Sequence, residues 1–143
     1  MRDNIEKILK FATQLSLEIV YQDTKAELIV VSNEDKGIYQ MVIDCEYPIL
    51  VYEQIIYDIR NFTKEHFLRL LQMNRNLIQG AFVIDDQAKH LIFRDTLQLE
   101  NLDFNEFEGS INSLSFGLAE YSRELIKMNQ ASDWRLCCKN CIT

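Results

Sequence analysis

The densest concentration of reactive side chains is the stretch WRLCCKNCIT, where Cys137, Cys138 and Cys141 include one C-x-x-C pair. That spacing suits metal ligation or dithiol–disulfide cycling. Structural zinc normally needs four ligands, as two such pairs or as one pair with closely spaced histidines, and Cys45, His66 and His90 are scattered along the chain. Redox pairs of this kind sit at a helix start after a strand, a setting that this stretch lacks. The expectation is therefore no metal and no cofactor, with residues 129–143 a cysteine-containing tail on a main domain, 1–128. Four reduced thiols suit the cytosol, where disulfides are rare.

Nucleophilic catalysis needs a base within hydrogen-bond reach of a nucleophile, and the chain has two histidines. His66 falls in the first turn of a helical pattern and His90 opens a strand pattern; neither accompanies a recognisable nucleophile motif. Asp85 and Asp86 occupy a turn, where Asp is favoured for backbone reasons, and Glu106 and Glu108 lie near a helix N-terminus, where negative charge is favoured. Gly37, Gly80, Gly109 and Gly117 are dispersed, so no phosphate-cradling loop forms. The residues point to no catalytic site, and the expectation is a protein that binds through surface shape.

The composition narrows the partner. With 22 Asp plus Glu against 15 Lys plus Arg, a net charge of -7, the 143-residue chain lacks the basic footprint that nucleic acid demands. Charged residues at Asp3, Glu6, Lys7 and Lys10 interrupt the apolar run a secretory signal requires. No uncharged apolar run approaches the roughly 20 residues that span a bilayer. A cytoplasmic protein without membrane or nucleic-acid partners is expected.

The elements follow from periodicity. Asp3 and Glu6 have capping-box spacing, and Ile5, Ile8, Leu9 and Ala12 share one helical face, giving a helix that ends near Gln14. Leu15 to Thr24 reads either as more helix or as a short strand. The segments AELIVVS, GIYQMVIDC and PILVYEQIIYDI then read as an antiparallel meander, turning at NEDKG and at Pro48. Ile49 to Tyr52 and Ile55 to Tyr57 are apolar on both faces, so this sheet wants two covers, one from its own helices and one from a partner.

Thr63 is the expected N-cap of a second helix, with Phe62 and Phe67 as its hydrophobic staple. The abrupt junction LLQMNRNLIQGAFVIDD ends that helix around Asn74, Arg75 and Asn76, and Gly80 admits the chain to a strand. A hairpin of GAFVID and HLIFRDT follows. Leu102, Asp103, Glu106 and Phe107 then start a third helix, whose seam of Phe104, Phe107, Ile111, Leu114, Leu118, Tyr121 and Leu125 suits a long helix lying on its own sheet. Ser110, Ser113 and Gly117 form a small-residue stripe, and Phe116 lies off the seam where a partner could touch it. The expected fold is α+β in the order α-β-β-β-α-β-β-α.

This order, together with LLQMNRNLIQGAFVIDD followed by HLIFRDTLQLENLDFNEFEGSINSL, resembles the YbjN-like family and the class I type III secretion chaperones of the CesT/Tir-chaperone type. The resemblance covers about Asp3 to Met128. It implies a small acidic cytoplasmic bacterial protein, often dimeric and without enzymatic activity. Secretion chaperones of this type hold an extended effector segment on apolar surfaces, whereas YbjN-like proteins are regulators of sensory transduction, stress or motility. The cysteine tail belongs to neither pattern.

Under this resemblance the strand positions Val30, Met41, Ile43, Val51 and Ile55 are the candidate partner-binding residues; alternating apolar strand residues are also the ordinary stuff of a core. The family analogy places a homodimer interface on the second helix and adjoining strands, with Phe67, Leu71, Phe82 and Ile84 as contributors. The expected partner is a protein client, or the regulatory partner of a YbjN-like protein. A metal- or thiol-dependent role for the tail is the third alternative.

Overall fold

The ambiguous stretch after the first helix turns out to be a strand. In the computed structural model, which describes residues 2–131, α1 (Arg2–Gln14) ends where Leu17 N–H returns to the Ala12 carbonyl at 3.0 Å and Ser16 takes a left-handed φ of 60°. The chain then enters β1 (Glu18–Asp23), followed by β2 (Leu28–Asn33), β3 (Ile38–Glu46) and β4 (Ile49–Asp58). Helix α2 (Lys64–Asn76), the hairpin β5 (Ala81–Ile84) and β6 (His90–Gln98), and helix α3 (Phe104–Ala131) complete the order. This is the expected α+β arrangement with one more strand.

All six strands form one antiparallel sheet in the order β1-β2-β3-β4-β6-β5. Strand side chains alternate between faces, and here the alternation divides the sheet sharply. Ile29, Val31, Met41, Ile43, Leu50, Tyr52, Leu91 and Phe93 point to one face and are buried beneath the helices. Ile5, Ile8 and Ala12 of α1, Leu70 and Met73 of α2, and Phe107, Ile111, Leu114, Tyr121 and Leu125 of α3 complete that core. The seam of α3 is thus satisfied within the chain: Phe107 meets Tyr52 and Phe11, and Tyr121 meets Phe82 edge-on.

Local chemistry fixes the starts of α2 and α3 as expected, whereas α1 already begins at Arg2, so Asp3 lies inside the helix and is not its N-cap. Thr63 caps α2, its N–H donating to Nδ1 of His66 at 3.1 Å, while the Phe62 and Phe67 rings meet edge-on at 5.6 Å as the staple. At α3 the Glu106 N–H donates to Oδ1 of Asp103 at 2.8 Å, with Leu102 and Phe107 buried on either side. The small-residue stripe of α3 receives the connection between α2 and β5. Ser113 bonds Gln79 at 3.0 Å, and a Cβ at Gly117 would stand 3.1 Å from the Leu77 side chain.

The polar junction has a specific task. Asn74 extends its carboxamide to Phe82, donating from Nδ2 to the carbonyl at 3.0 Å and accepting the N–H on Oδ1 at 2.7 Å. Gly80 enters β5 with φ 75° under the Phe93 ring, 2.2 Å from where a Cβ would lie. Residues 132–143, including Cys137, Cys138 and Cys141, lie outside the described residues.

Candidate functional site

The helices cover one face of the sheet; the other face is open. Its register rows run from strand to strand, so the side chains that share it can be read directly. One row crosses the whole sheet as Tyr21, Val30, Val42, Glu53, Arg94 and Ala81. A second joins Ile55, Ile92 and Val83. The apolar members Tyr21, Val42 and Ile55 are exposed, Ile55 to 55%. Isolated exposed apolar residues are commonplace, but a contiguous group on one sheet face marks an interaction surface.

Charges frame this surface. Arg94 donates to Glu53 at 2.9 Å in its middle, between half-exposed side chains. On one side Asp44 and Glu46 share a shallow depression with Val42, Val51 and Glu53. Desolvation, followed by the charges of Glu46 and Glu53, raises the Asp44 carboxyl above the usual range. On the other side His90 stands between carboxylates, its Nδ1 at 2.5 Å from Asp85 and its Nε2 at 3.4 Å from Asp58. The hydrogen bond to His90, helped by the Lys89 and His90 backbone N–H groups, holds Asp85 below the usual range.

A trough crosses the open face toward β1. One part, about 580 Å³, is lined by Glu18, Val20, Ser32, Asn33, Tyr39 and Gln40, and the other by Val42, Ile55, Ile92, Asp85 and His90, with Tyr39 and Gln40 common to both. Tyr39 is set here by a break in alternation. Gln40 has a left-handed φ of 48° and the β2–β3 register shifts beside it. The strand bonds lost at that irregularity are replaced by side chains: Gln54 accepts from Tyr39 N–H at 3.0 Å and donates to the Gly37 carbonyl at 3.2 Å, and Ser32 Oγ accepts from Gln40 N–H at 2.9 Å.

The two sheet edges differ. Among the described residues no strand lies outside β1, whose Glu18–Asp23 backbone is paired only with β2. At the opposite edge Asn74 occupies the outward N–H and carbonyl of Phe82 in β5. An unpaired strand edge is a template for another chain, and here that template is β1.

The expected partner-binding residues separate by face. Val30 and Ile55 stand on the open face, and Val51 shares it but is 6% exposed beneath its polar neighbours. Met41 and Ile43 are at 1% and 0%, in the core beneath the helices. Of the residues expected at a dimer interface, Leu71 is 68% exposed on α2, Phe67 and Ile84 are half-buried, and Phe82 is buried against Phe93 and Tyr121. Leu68 on α2, Phe116 on α3 and Ile78 between α2 and β5 are further exposed apolar residues, and Ile78 and Phe116 line one depression. Sequence reasoning missed Tyr21, Tyr39, Val42 and Ile92. The alternation of Val42 against Met41 and Ile43 was a usable signal, since one of those two sets had to face away from the helices.

Among the described residues no group of three or more His, Cys, Asp or Glu could hold a metal ion. Cys45 is buried, and desolvation pushes its thiol up to about 11, which keeps it protonated and unreactive at neutral pH. No described helix is long and apolar enough to cross a membrane.

The family model CesT_Tir_1 matches residues 1–131, nearly all of the chain. The chain belongs to the CesT_Tir_1 family. Solved structures similar to this CesT_Tir_1 member include YbjN from E. coli, with a TM-score of 0.59 and 13% identity over 85% of this chain and 93% of that one. A chain of the HopA1–SchA chaperone–effector complex matches with a TM-score of 0.59 and 12% identity, over 82% of this chain and 94% of the other. The Yersinia pestis type III secretion chaperone SycH, solved with a stable fragment of YscM2, gives 0.56 and 16%, over 78% and 92%. No curated protein matches in sequence. At these identities the likeness establishes the fold, which YbjN and the secretion chaperones share.

Proposed function

We propose that this protein is a non-enzymatic chaperone that holds an extended segment of a client protein across the open face of its sheet. The observation that carries this reading is the apolar trough beside the unpaired β1 edge. A client strand can pair its main chain with β1 and place alternate side chains in the trough, so the backbone supplies affinity and the pockets supply specificity. Val30 and Ile55, with Tyr39 and Val42, are the contacting residues in this reading; Val51 supports them from beneath its polar neighbours, and Met41 and Ile43 from the other side of the sheet. Family membership and the likeness to chains from chaperone–effector complexes support a protein partner.

The protein acts as a cytoplasmic homodimer in this reading. Leu71 and Phe67 on α2 form the interface, with Ile84 and Phe82 holding the adjoining β5 in place. The fold it shares with YbjN favours a second reading, a regulator that uses the same face to bind one protein partner.

A pull-down from the native host, read by mass spectrometry, tests the reading. The chaperone predicts one stoichiometric client that is lost with Val30→Asp or Ile55→Asp and retained with Leu71→Asp. Recovery of a regulatory protein in place of a secreted client supports the second reading. A properly folded dimer that captures nothing under any growth condition would sink both.

A further inference from the structure

We propose that the client segment held on the open face is a cationic strand, in which lysine or arginine alternates with apolar side chains. This rests on the client reading above and adds the chemistry of the segment.

The charge of the sheet is one-sided. Among the described residues Arg94 is the only Lys or Arg within a strand, whereas Glu18, Asp23, Asp44, Glu46, Glu53 and Asp58 hold open-face positions of the same strands. The hairpin turns do not offset this, since their lysines, Lys25, Lys36 and Lys89, are outnumbered by the carboxylates of those same turns. Arg94 is already taken by Glu53 at 2.9 Å, and among the described residues no lysine or arginine pairs with Glu18, Asp44 or Glu46. Asp44 bears the consequence: desolvation, then the charges of Glu46 and Glu53, raise its carboxyl above the usual range. A cation brought among these groups would offset their repulsion, and an acidic segment would add to it. The apolar side chains Tyr21, Tyr39, Val42 and Ile55 stand exposed between the charges, so the complementary segment alternates the two chemistries.

The β1 edge sets the spacing. Its open-face residues Glu18, Tyr21 and Asp23 meet Ser32, Val30 and Leu28, every second residue of β2, because the register shifts between Ile19 and Tyr21. A strand paired on the outer side of β1 would face the same three side chains with a cation, an apolar residue and a cation at i, i+2 and i+4. A second copy suits this edge poorly. Antiparallel pairing of two full-length β1 strands sets Glu18 of one opposite Asp23 of the other, and like charges directly opposite destabilise a sheet.

The test uses the full chain and two fluorophore-labelled synthetic peptides, one alternating lysine with valine and isoleucine, the other with threonine in place of each lysine. Binding is followed by fluorescence anisotropy. The lysine peptide should bind about tenfold tighter, as the sum of several exposed charge pairs, and lose that margin as salt rises. Glu18→Lys with Asp44→Lys should abolish the preference. Glu18→Gln with Asp44→Asn keeps the side-chain shapes and should weaken it, so the test stays decisive if the charge reversal fails to fold. Glu65→Lys with Glu120→Lys makes the same change in net charge at exposed positions of α2 and α3 and should leave the preference intact. Equal affinity for the two peptides overturns the cationic preference while leaving the client reading standing. A preference lost equally in the helix variant also overturns it, because net charge alone then accounts for the binding. Binding of neither peptide counts against the preference and the client reading together.

Discussion

Asn74 and Phe82 are joined as two strands would be: the carboxamide of one both donates to and accepts from the backbone of the other, at 3.0 and 2.7 Å. A helix side chain thereby acts as a one-residue strand against β5. The same pair ties the end of α2 to the sheet and uses the hydrogen-bonding groups that an incoming chain would need.

Replacing Asn74 by Ala leaves both Phe82 groups without this partner, and the site is half-buried. The expected cost is roughly 1–3 kcal/mol, measured as a lower urea midpoint with an unchanged m-value. Asn74→Asp keeps the acceptor and loses the donor, so it should fall between Ala and the parent at neutral pH. Equal stability for all three would remove the strand-mimic role.

Gly80 answers to two constraints, a left-handed φ of 75° and a Phe93 ring 2.2 Å from an added Cβ. Gly80→Ala should destabilise by about 1–3 kcal/mol. Pairing it with Phe93→Leu, which removes the obstructing ring, should make the double variant less destabilised than the two single losses added together. Strict additivity in a double-mutant cycle would show that the ring is not the obstacle.

The Asp85 carboxylate is held below its ordinary value of 3.8 by His90 and by the Lys89 and His90 N–H groups. Its folded value is the lower one, so its stabilising charge is fully present above about 3.8 and is lost as pH falls through the depressed value. Asp85→Asn should therefore lower Tm at pH 6 and make progressively less difference below about pH 3.8. A Tm difference that is constant across this range would contradict the assignment.

Cys45 combines a raised thiol, about 11, with burial under the helices. Native alkylation at neutral pH should leave it unlabelled while denaturant exposes it, as peptide mapping would reveal. Rapid native labelling of Cys45 would mean that the core opens at β3.

Much of this architecture was legible where the physics is local. Thr63 with Phe62 and Phe67, and Asp103 with Glu106, set helix starts through contacts within a few residues, and both formed as read. Strand β1 was harder because it is an edge: Ile19 is its only apolar residue less than exposed, so no alternation announces it. The choice between the two faces of β3 was also hidden. Met41 and Val42 are interchangeable to a pattern of apolar residues, and only helix placement decides which one meets water. Tyr39 was concealed further by the left-handed Gln40, which breaks the alternation that would have grouped it with Val42. Asn74 looked like junction chemistry, and so it is, but its partner eight residues away could not be read from composition.

The difference between the two sheet edges sets a limit on assembly. In the language of polymer chemistry, a sheet with two free edges is a bifunctional monomer and can propagate into a filament, whereas one with a single free edge is monofunctional. With β5 capped by Asn74, addition at β1 ends after a single step, whether the incoming strand belongs to a client or to another copy. The sheet thus offers its strand-binding edge at β1, while the Asn74 carboxamide closes the Phe82 position of β5 to a second strand.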